Sequence, residues 1–213
     1  MDIFDREPEL VQLFDALERA SRKDGLVIAL LGEAGIGKSS LARKFLETID
    51  REVRVLRGYC DDLGIAEPLG VLRDLAREAE IELPDDLIEP GNRLRAFSKV
   101  FEGFFEANTP TIILVEDVHW ADDATVDFLR FLTRRIAGTR LMLVLTARSD
   151  WALGRNKVRR VMGDAISHDA IRLELGPLSQ ETIARLANEA GNSADKLNEM
   201  TGGSAFFVTE VLN

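Results

Sequence analysis

A single cysteine, Cys60, among 213 residues rules out an internal disulfide, which fits a reducing setting, with the cytoplasm as the expected location. Nor is there a run of about 18 uncharged apolar residues, the length a membrane-crossing helix needs. The amino terminus, Met1-Asp2-Ile3-Phe4-Asp5-Arg6, has neither the basic nor the apolar region of a secretion signal, so no membrane partner is expected. Excess positive charge is missing too. The formal net charge of −10 works against non-specific attraction to nucleic acid or anionic lipid by the segment as a whole. No basic helix with helix-turn-helix spacing stands out, so direct nucleic-acid binding is not expected. The basic clusters that do occur, Arg155, Lys157, Arg159 and Arg160, and Arg134 with Arg135, read as solvated faces, with phosphate sensing or a partner contact as the alternative. Internal repeats and low-complexity tracts are also absent.

What the chain does have is apolar content, at 46%, enough at this length for one α/β domain with a small appendage. Its most informative stretch is Gly32-Glu33-Ala34-Gly35-Ile36-Gly37-Lys38-Ser39, a complete G-x-x-x-x-G-K-S phosphate loop. Upstream, Leu26 to Leu31 is an unbroken apolar run of strand length, as expected for a strand buried on both faces of a parallel sheet. Downstream, Leu41, Phe45 and Ile49 recur every four residues and form one stripe of an amphipathic helix. The loop therefore joins a strand to a helix. There Gly32, Gly35 and Gly37 let the backbone curl so that its N–H groups face a polyphosphate, and the helix dipole adds positive potential. Glu33, Ala34, Ile36 and Ser40 complete the cradle, Lys38 supplies charge for the outer phosphates, and the Ser39 hydroxyl suits Mg²⁺. A glycine-rich turn that merely caps a helix is the plainer alternative.

The rest of the chain alternates in the same way. A helix spans residues 5 to 22, with Leu10, Leu13, Phe14 and Leu17 on one face. Further strands are expected at Val53 to Leu56, Thr111 to Val115, Leu141 to Thr146 and Ile171 to Leu175. Between the second and third strands lie two helical segments separated by Pro84 and Pro90, one with Leu69, Leu72, Leu75 and Ala76, the other with Leu94, Phe97, Phe101, Phe104 and Phe105. Asp122 or Asp123 can cap the helix that ends near Gly138. Five strands alternating with helices imply a parallel sheet with right-handed crossovers.

After Gly176-Pro177 the pattern turns helical, with Ser179 as a cap and Ile183, Leu186, Ala187 and Ala190 as the stripe. Shorter helices follow around Leu197 and from Ser204. The expected division is a core of 1–175 and the start of a helical lid at 176–213, truncated within an apolar helical pattern at Asn213.

Two carboxylates, Glu116 and Asp117, end the third strand, an arrangement that is costly unless a cation or water compensates it. Mg·ATP would do so. Neighbouring strand residues point to opposite faces, so the two acids have different tasks. Glu116 is assigned to the metal and Asp117 to the attacking water, the reverse assignment remaining open. His119 reads as a hydrogen-bonding scaffold for the turn, with Trp120 packed beneath it. Only His168 could join it as a second imidazole, so metal ligation is disfavoured.

Asp5-Arg6-Glu7, the phosphate loop, Val115-Glu116-Asp117-Val118-His119-Trp120-Ala121-Asp122, Thr146-Ala147-Arg148, Leu175-Gly176-Pro177-Leu178-Ser179 and Thr201-Gly202-Gly203 follow in an order that resembles the ATPase module of STAND-type regulators. Large LuxR-type transcription activators and ATPase segments linked to adenylate cyclases belong to that group. The resemblance implies an AAA+-like α/β fold, a five-stranded parallel sheet with a C-terminal helical lid, and ATP or ADP held between them with Mg²⁺ as a signal-transduction switch. It gives Arg148 the place of the family's sensor arginine, Pro177 that of the proline near adenine, and Arg6 that of an amino-terminal nucleotide contact. A surface arginine and a simple helix-leading turn are the plainer readings of Arg148 and Pro177. Asp5 departs from the glycine of many members, and Glu116 is one methylene longer than the common aspartate, so slow hydrolysis is implied. Regulatory domains beyond the segment and self-association are expected partners. A nucleotide-dependent scaffold that borrows an arginine for hydrolysis is the second reading; a small-molecule kinase is opposed by the Glu-Asp-Val-His-Trp turn and the absence of an arginine-rich lid.

Overall fold

The computed structural model describes residues 3–61, 68–84, 87, 89–105, 109–149, 157–165 and 170–212. Arg155, His168 and Asn213 lie outside the described residues. Five strands, β1 (Leu26–Leu31), β2 (Arg54–Tyr59), β3 (Thr111–Glu116), β4 (Leu141–Ala147) and β5 (Ile171–Glu174), form one parallel sheet in the order β2-β3-β4-β1-β5. The fold is the expected α/β arrangement. Strand β2 runs three residues beyond the apolar pattern that marked it, because its outer residues Arg57 and Tyr59 stay exposed at the sheet edge.

Period-two alternation sends the two halves of each central strand into separate cores. Val27, Ala29 and Leu31 of β1 join Ile113, Val115, Leu143 and Leu145 on one face. That face is covered by α3 (Gly70–Glu78), α4 (Pro90–Gly103), α5 (Asp123–Thr133) and α6 (Lys157–Ala165). Leu26, Ile28 and Leu30 meet Ile112, Leu114, Met142 and Val144 on the other, beneath α1 (Glu7–Ser21) and α2 (Lys38–Thr48). Strand β2 is an open edge, and α3 blunts it: the Arg57 and Tyr59 amides donate to the carboxylates of Glu78 and Asp74.

Helix α5 resolves the choice of cap, since Asp122 accepts from the Ala124 and Thr125 amides at 2.9 and 3.0 Å. Several expectations need correction. Leu94 is 58% exposed, and Phe105 lies beyond the end of α4 with Phe104 taking the buried place. Ala190 is exposed, so the buried residues of the lid's first helix are Thr182, Ile183 and Ala187. Helix α6 was not expected at all: among its residues whose burial is described, Val161 and Met162 bury apolar surface, and the helix is held by packing on α5, where Arg160 reaches Asp123 at 3.0 Å.

The last three helices, α7 (Gln180–Glu189), α8 (Ala194–Thr201) and α9 (Ala205–Leu212), close on a small cluster of their own, Leu178, Ile183, Ala187, Leu197 and Val208. Among the described residues no helix is long and apolar enough to cross a membrane.

Candidate functional site

The segments that follow the carboxyl ends of β1, β3 and β4 line one cavity of about 650 Å³, with Ala34 to Ser40, Asp117 and Arg148 respectively. Its lining combines polar groups from Gly35 to Ser40, Asp117 and Arg148 with the apolar side chains of Ile3, Phe4, Leu178 and Leu186. Gly32 is extended in backbone, whereas Gly35 and Gly37 have φ of +75° and +104°, values that L side chains rarely adopt. The loop curls as its glycines require. Inside the curl the Lys38 ammonium, 8% exposed, donates to the carbonyls of Gly32 and Glu33 at 2.9 and 2.8 Å, which fixes the amine at the loop's centre.

Ser39, in the first turn of α2, donates its hydroxyl to a Glu116 carboxylate oxygen. This contact joins the loop to the acidic end of β3. Asp117 follows in the left-handed conformation, φ 56°, and starts the 3₁₀ turn Val118–Trp120. Its amide donates to Thr146 Oγ1 at 2.9 Å, so β4 holds the turn and leaves the Asp117 side chain on the cavity wall. The two acids thus diverge, Glu116 toward α2 and Asp117 into the cavity.

His119 Nδ1 lies 3.8 Å from Asp117 Oδ1, and its ring sits 5.0 Å from that of Trp120. The two rings pack together, tilted by 42°, while Trp120 stays 38% exposed at the cavity wall. There its ring faces the Arg148 guanidinium, 5.8 Å from Cζ to centroid, a cation–π contact at the end of β4.

Arg6 lines the cavity but spends its guanidinium on the backbone, donating to Ile36 O at 3.2 Å and Gly176 O at 2.6 Å. It ties the phosphate loop to the start of the lid. Pro177 is exposed and faces Gly203, and the residue beside the cavity is its neighbour Leu178. From the other side α9 touches the loop directly, with the Phe206 amide donating to Gly35 O at 2.9 Å and Ser204 Oγ to the same oxygen at 3.2 Å.

With this geometry in hand, sequence comparison is decisive: the family model for the AAA ATPase domain matches residues 3–144. The chain belongs to that family. No curated protein sequence matches it significantly. Among solved structures, this AAA ATPase domain is similar to the Aeropyrum pernix Orc1 protein determined in complex with DNA, with TM-score 0.71 and 17% identity over 99% of this chain and 59% of that one. It is similar to Cdc6p from Pyrobaculum aerophilum, with TM-score 0.61 and 20% identity over 87% of this chain and 48% of that one. The Thermotoga maritima RuvB Holliday junction branch migration motor gives TM-score 0.52 and 16% identity over 97% and 60%. At such identities the likeness is one of fold, and the domain spans between 48% and 60% of those chains.

Sequence reasoning missed four contributors, namely Thr146 as the acceptor behind Asp117, Leu178 on the cavity wall, the Ser204–Phe206 contact and Asp5. The only available signal for Asp5 was its departure from glycine, and the structure supplies a reason: its φ is 56°, in the glycine-favouring region.

Proposed function

We propose that this AAA ATPase domain binds ATP with Mg²⁺ in the 650 Å³ cavity and hydrolyses it slowly, the nucleotide state setting the position of the helical lid. The observation that carries the reading is the hydrogen bond between Ser39 and Glu116, which brings the strand-end acid to a loop curled by glycines at positive φ. A hydroxyl and a carboxylate are hard oxygen donors that suit Mg²⁺, with the remaining positions left to phosphates and water. When bound, the ion would neutralise charge on the outer phosphates. Loop amides and Lys38 hold the phosphates in place. Asp117, on the cavity wall, accepts a hydrogen bond from the attacking water and orients it. Arg148, whose guanidinium lies over the Trp120 ring, is available to the terminal phosphate. Base and ribose lie toward Phe4 and Leu178, with Arg6 bracing the loop beneath them.

Two features support a switch rather than a turnover enzyme. The lid begins at 176, and α9 is bonded to Gly35, so a change at the phosphates reaches the lid through one residue. This is the behaviour expected of the STAND-type module of a cytoplasmic multidomain regulator, in which residues 1–175 form the core and 176–213 the start of the lid.

The test is to identify the nucleotide that copurifies and to compare ATP turnover in wild type, Lys38→Ala and Asp117→Asn. Lys38→Ala is expected to weaken ATP binding by at least about tenfold. Asp117→Asn keeps binding but loses about a hundredfold or more in turnover. Equal turnover in all three refutes the assignment, and turnover that appears only at high protein concentration points to an oligomeric scaffold that borrows its arginine.

A further inference from the structure

Two short segments distant in sequence meet at the apolar lining of the cavity. Phe4 comes from the amino terminus and Leu178 from the start of the lid; both line the cavity, and Phe4 packs against the small cluster that contains Leu178. Asp5 follows Phe4 directly and joins the two segments. Its carboxylate accepts from the Ser179 amide at 2.6 Å and from the Thr182 hydroxyl at 2.5 Å, 174 and 177 residues away in sequence. Those two donors belong to the cap and first turn of α7, where the helix dipole favours a negative charge. Arg185, one turn further along α7, places its guanidinium 5.5 Å from the centre of the Phe4 ring. On the other side of Asp5, Arg6 holds the Gly176 carbonyl. Leu178 therefore lies two positions after Gly176 and one before Ser179, both of which are bonded to the amino-terminal segment.

We propose that Asp5 is a positioning residue for the base end of the site: it clamps the lid's first helix to the amino-terminal segment and so fixes the apolar wall, Phe4 with Leu178, against which a planar base would lie. The inference rests on the nucleotide reading above for the identity of the ligand, and on geometry alone for the clamp. It also explains why an aspartate occupies a left-handed position. Glycine would satisfy the backbone there, and aspartate tolerates it while adding an acceptor for two donors of α7. The side chain is therefore separable from the backbone conformation. That makes Asp5→Gly an informative substitution, since it removes the clamp without straining the chain.

Three variants and two probes test this. Amide hydrogen exchange is measured in α7 without nucleotide, and binding of ADP and of inorganic tripolyphosphate is measured by calorimetry. Asp5→Gly is expected to speed exchange in the first turn of α7 by about tenfold, the scale of a lost helix cap. It is expected to weaken ADP by a similar factor and to leave tripolyphosphate, which touches only the loop, unchanged. Asp5→Asn keeps one acceptor and offers Thr182 a donor, so it restores most of both effects, and Thr182→Val reproduces part of the loss.

Wild-type exchange in Asp5→Gly overturns the clamp. Faster exchange with unchanged ADP affinity, or equal weakening of ADP and tripolyphosphate, overturns the positioning role, since general loosening would not discriminate between the two probes. Should the wild type bind neither probe, the nucleotide reading fails and the positioning role with it, while the exchange measurement still decides the clamp.

Discussion

Replacing Gly35 by alanine tests how the phosphate loop holds the lid. Gly35 has φ +75°, where a β-carbon costs about 1 to 2 kcal/mol. A β-carbon built there would stand 3.0 Å from Ser204 Oγ and 3.1 Å from Phe206 Cβ. Helix α9 must therefore retreat by a few tenths of an ångström, and the Phe206 amide, now 2.9 Å from Gly35 O, is drawn to the long edge of hydrogen-bonding range. Weakening that bond removes up to about 1 kcal/mol, for a total of roughly 2 to 3 kcal/mol at most. In a domain of this size the melting temperature should fall by about 5 to 10 °C. Gly37→Ala is the control. Its φ of +104° imposes backbone strain as well, yet its β-carbon would meet only Ala205 Cβ, at an ordinary 3.8 Å. Both variants should melt earlier, but only Gly35→Ala should accelerate hydrogen exchange at Phe206 and through the first turn of α9. Were exchange in α9 no faster in Gly35→Ala than in Gly37→Ala, the lid would not be held by this contact and the reasoning would fail.

Two other outcomes follow from the same geometry. Thr146 is fully buried and accepts from the Asp117 amide, so Thr146→Val leaves that amide without its acceptor at a cost of about 1 to 3 kcal/mol. Because the loop is untouched, kcat should fall more than KM changes, and an unaltered kcat would show that Asp117 does not depend on β4. The Asp5 carboxyl lies below its ordinary value of 3.8: burial pushes it up, but hydrogen bonds from Thr182 and Ser179 and the adjacent Arg6 charge outweigh that effect. A lowered folded value means the stabilisation is complete above the unfolded value and is lost as pH falls through the folded one. Exchange in α7, corrected for intrinsic rate, should therefore stay level from about pH 8 to 5 and rise below about pH 4 in wild type, with no such step in Asp5→Asn.

Most of the site's chemistry was legible because it is local. A strand, a curled glycine loop and a helix succeed one another within residues 26 to 48, and each is specified by short-range periodicity and by the backbone freedom of glycine. The acids after β3 were equally plain. Their division of labour was not, since alternation says only that Glu116 and Asp117 face opposite ways. Which of them meets Ser39 depends on β3 lying two strands from β1 in the sheet.

Helix α6 escaped notice for a related reason: the adjacent pair Val161 and Met162 carries too little pattern, and the helix's place is set by contact with α5. The amino-terminal bracket was the least readable part of all. Asp5 and Arg6 find partners some 170 residues away, at Gly176, Ser179 and Thr182. The sequence by itself determined the strands, the phosphate loop and the kind of ligand that loop suits, because those depend on neighbours a few positions apart. The order of the strands, the separation of the two carboxylates and the closing of the lid against Phe4 were decided only by the tertiary structure, because long-range hydrogen bonds and buried contacts leave no periodic trace in the chain.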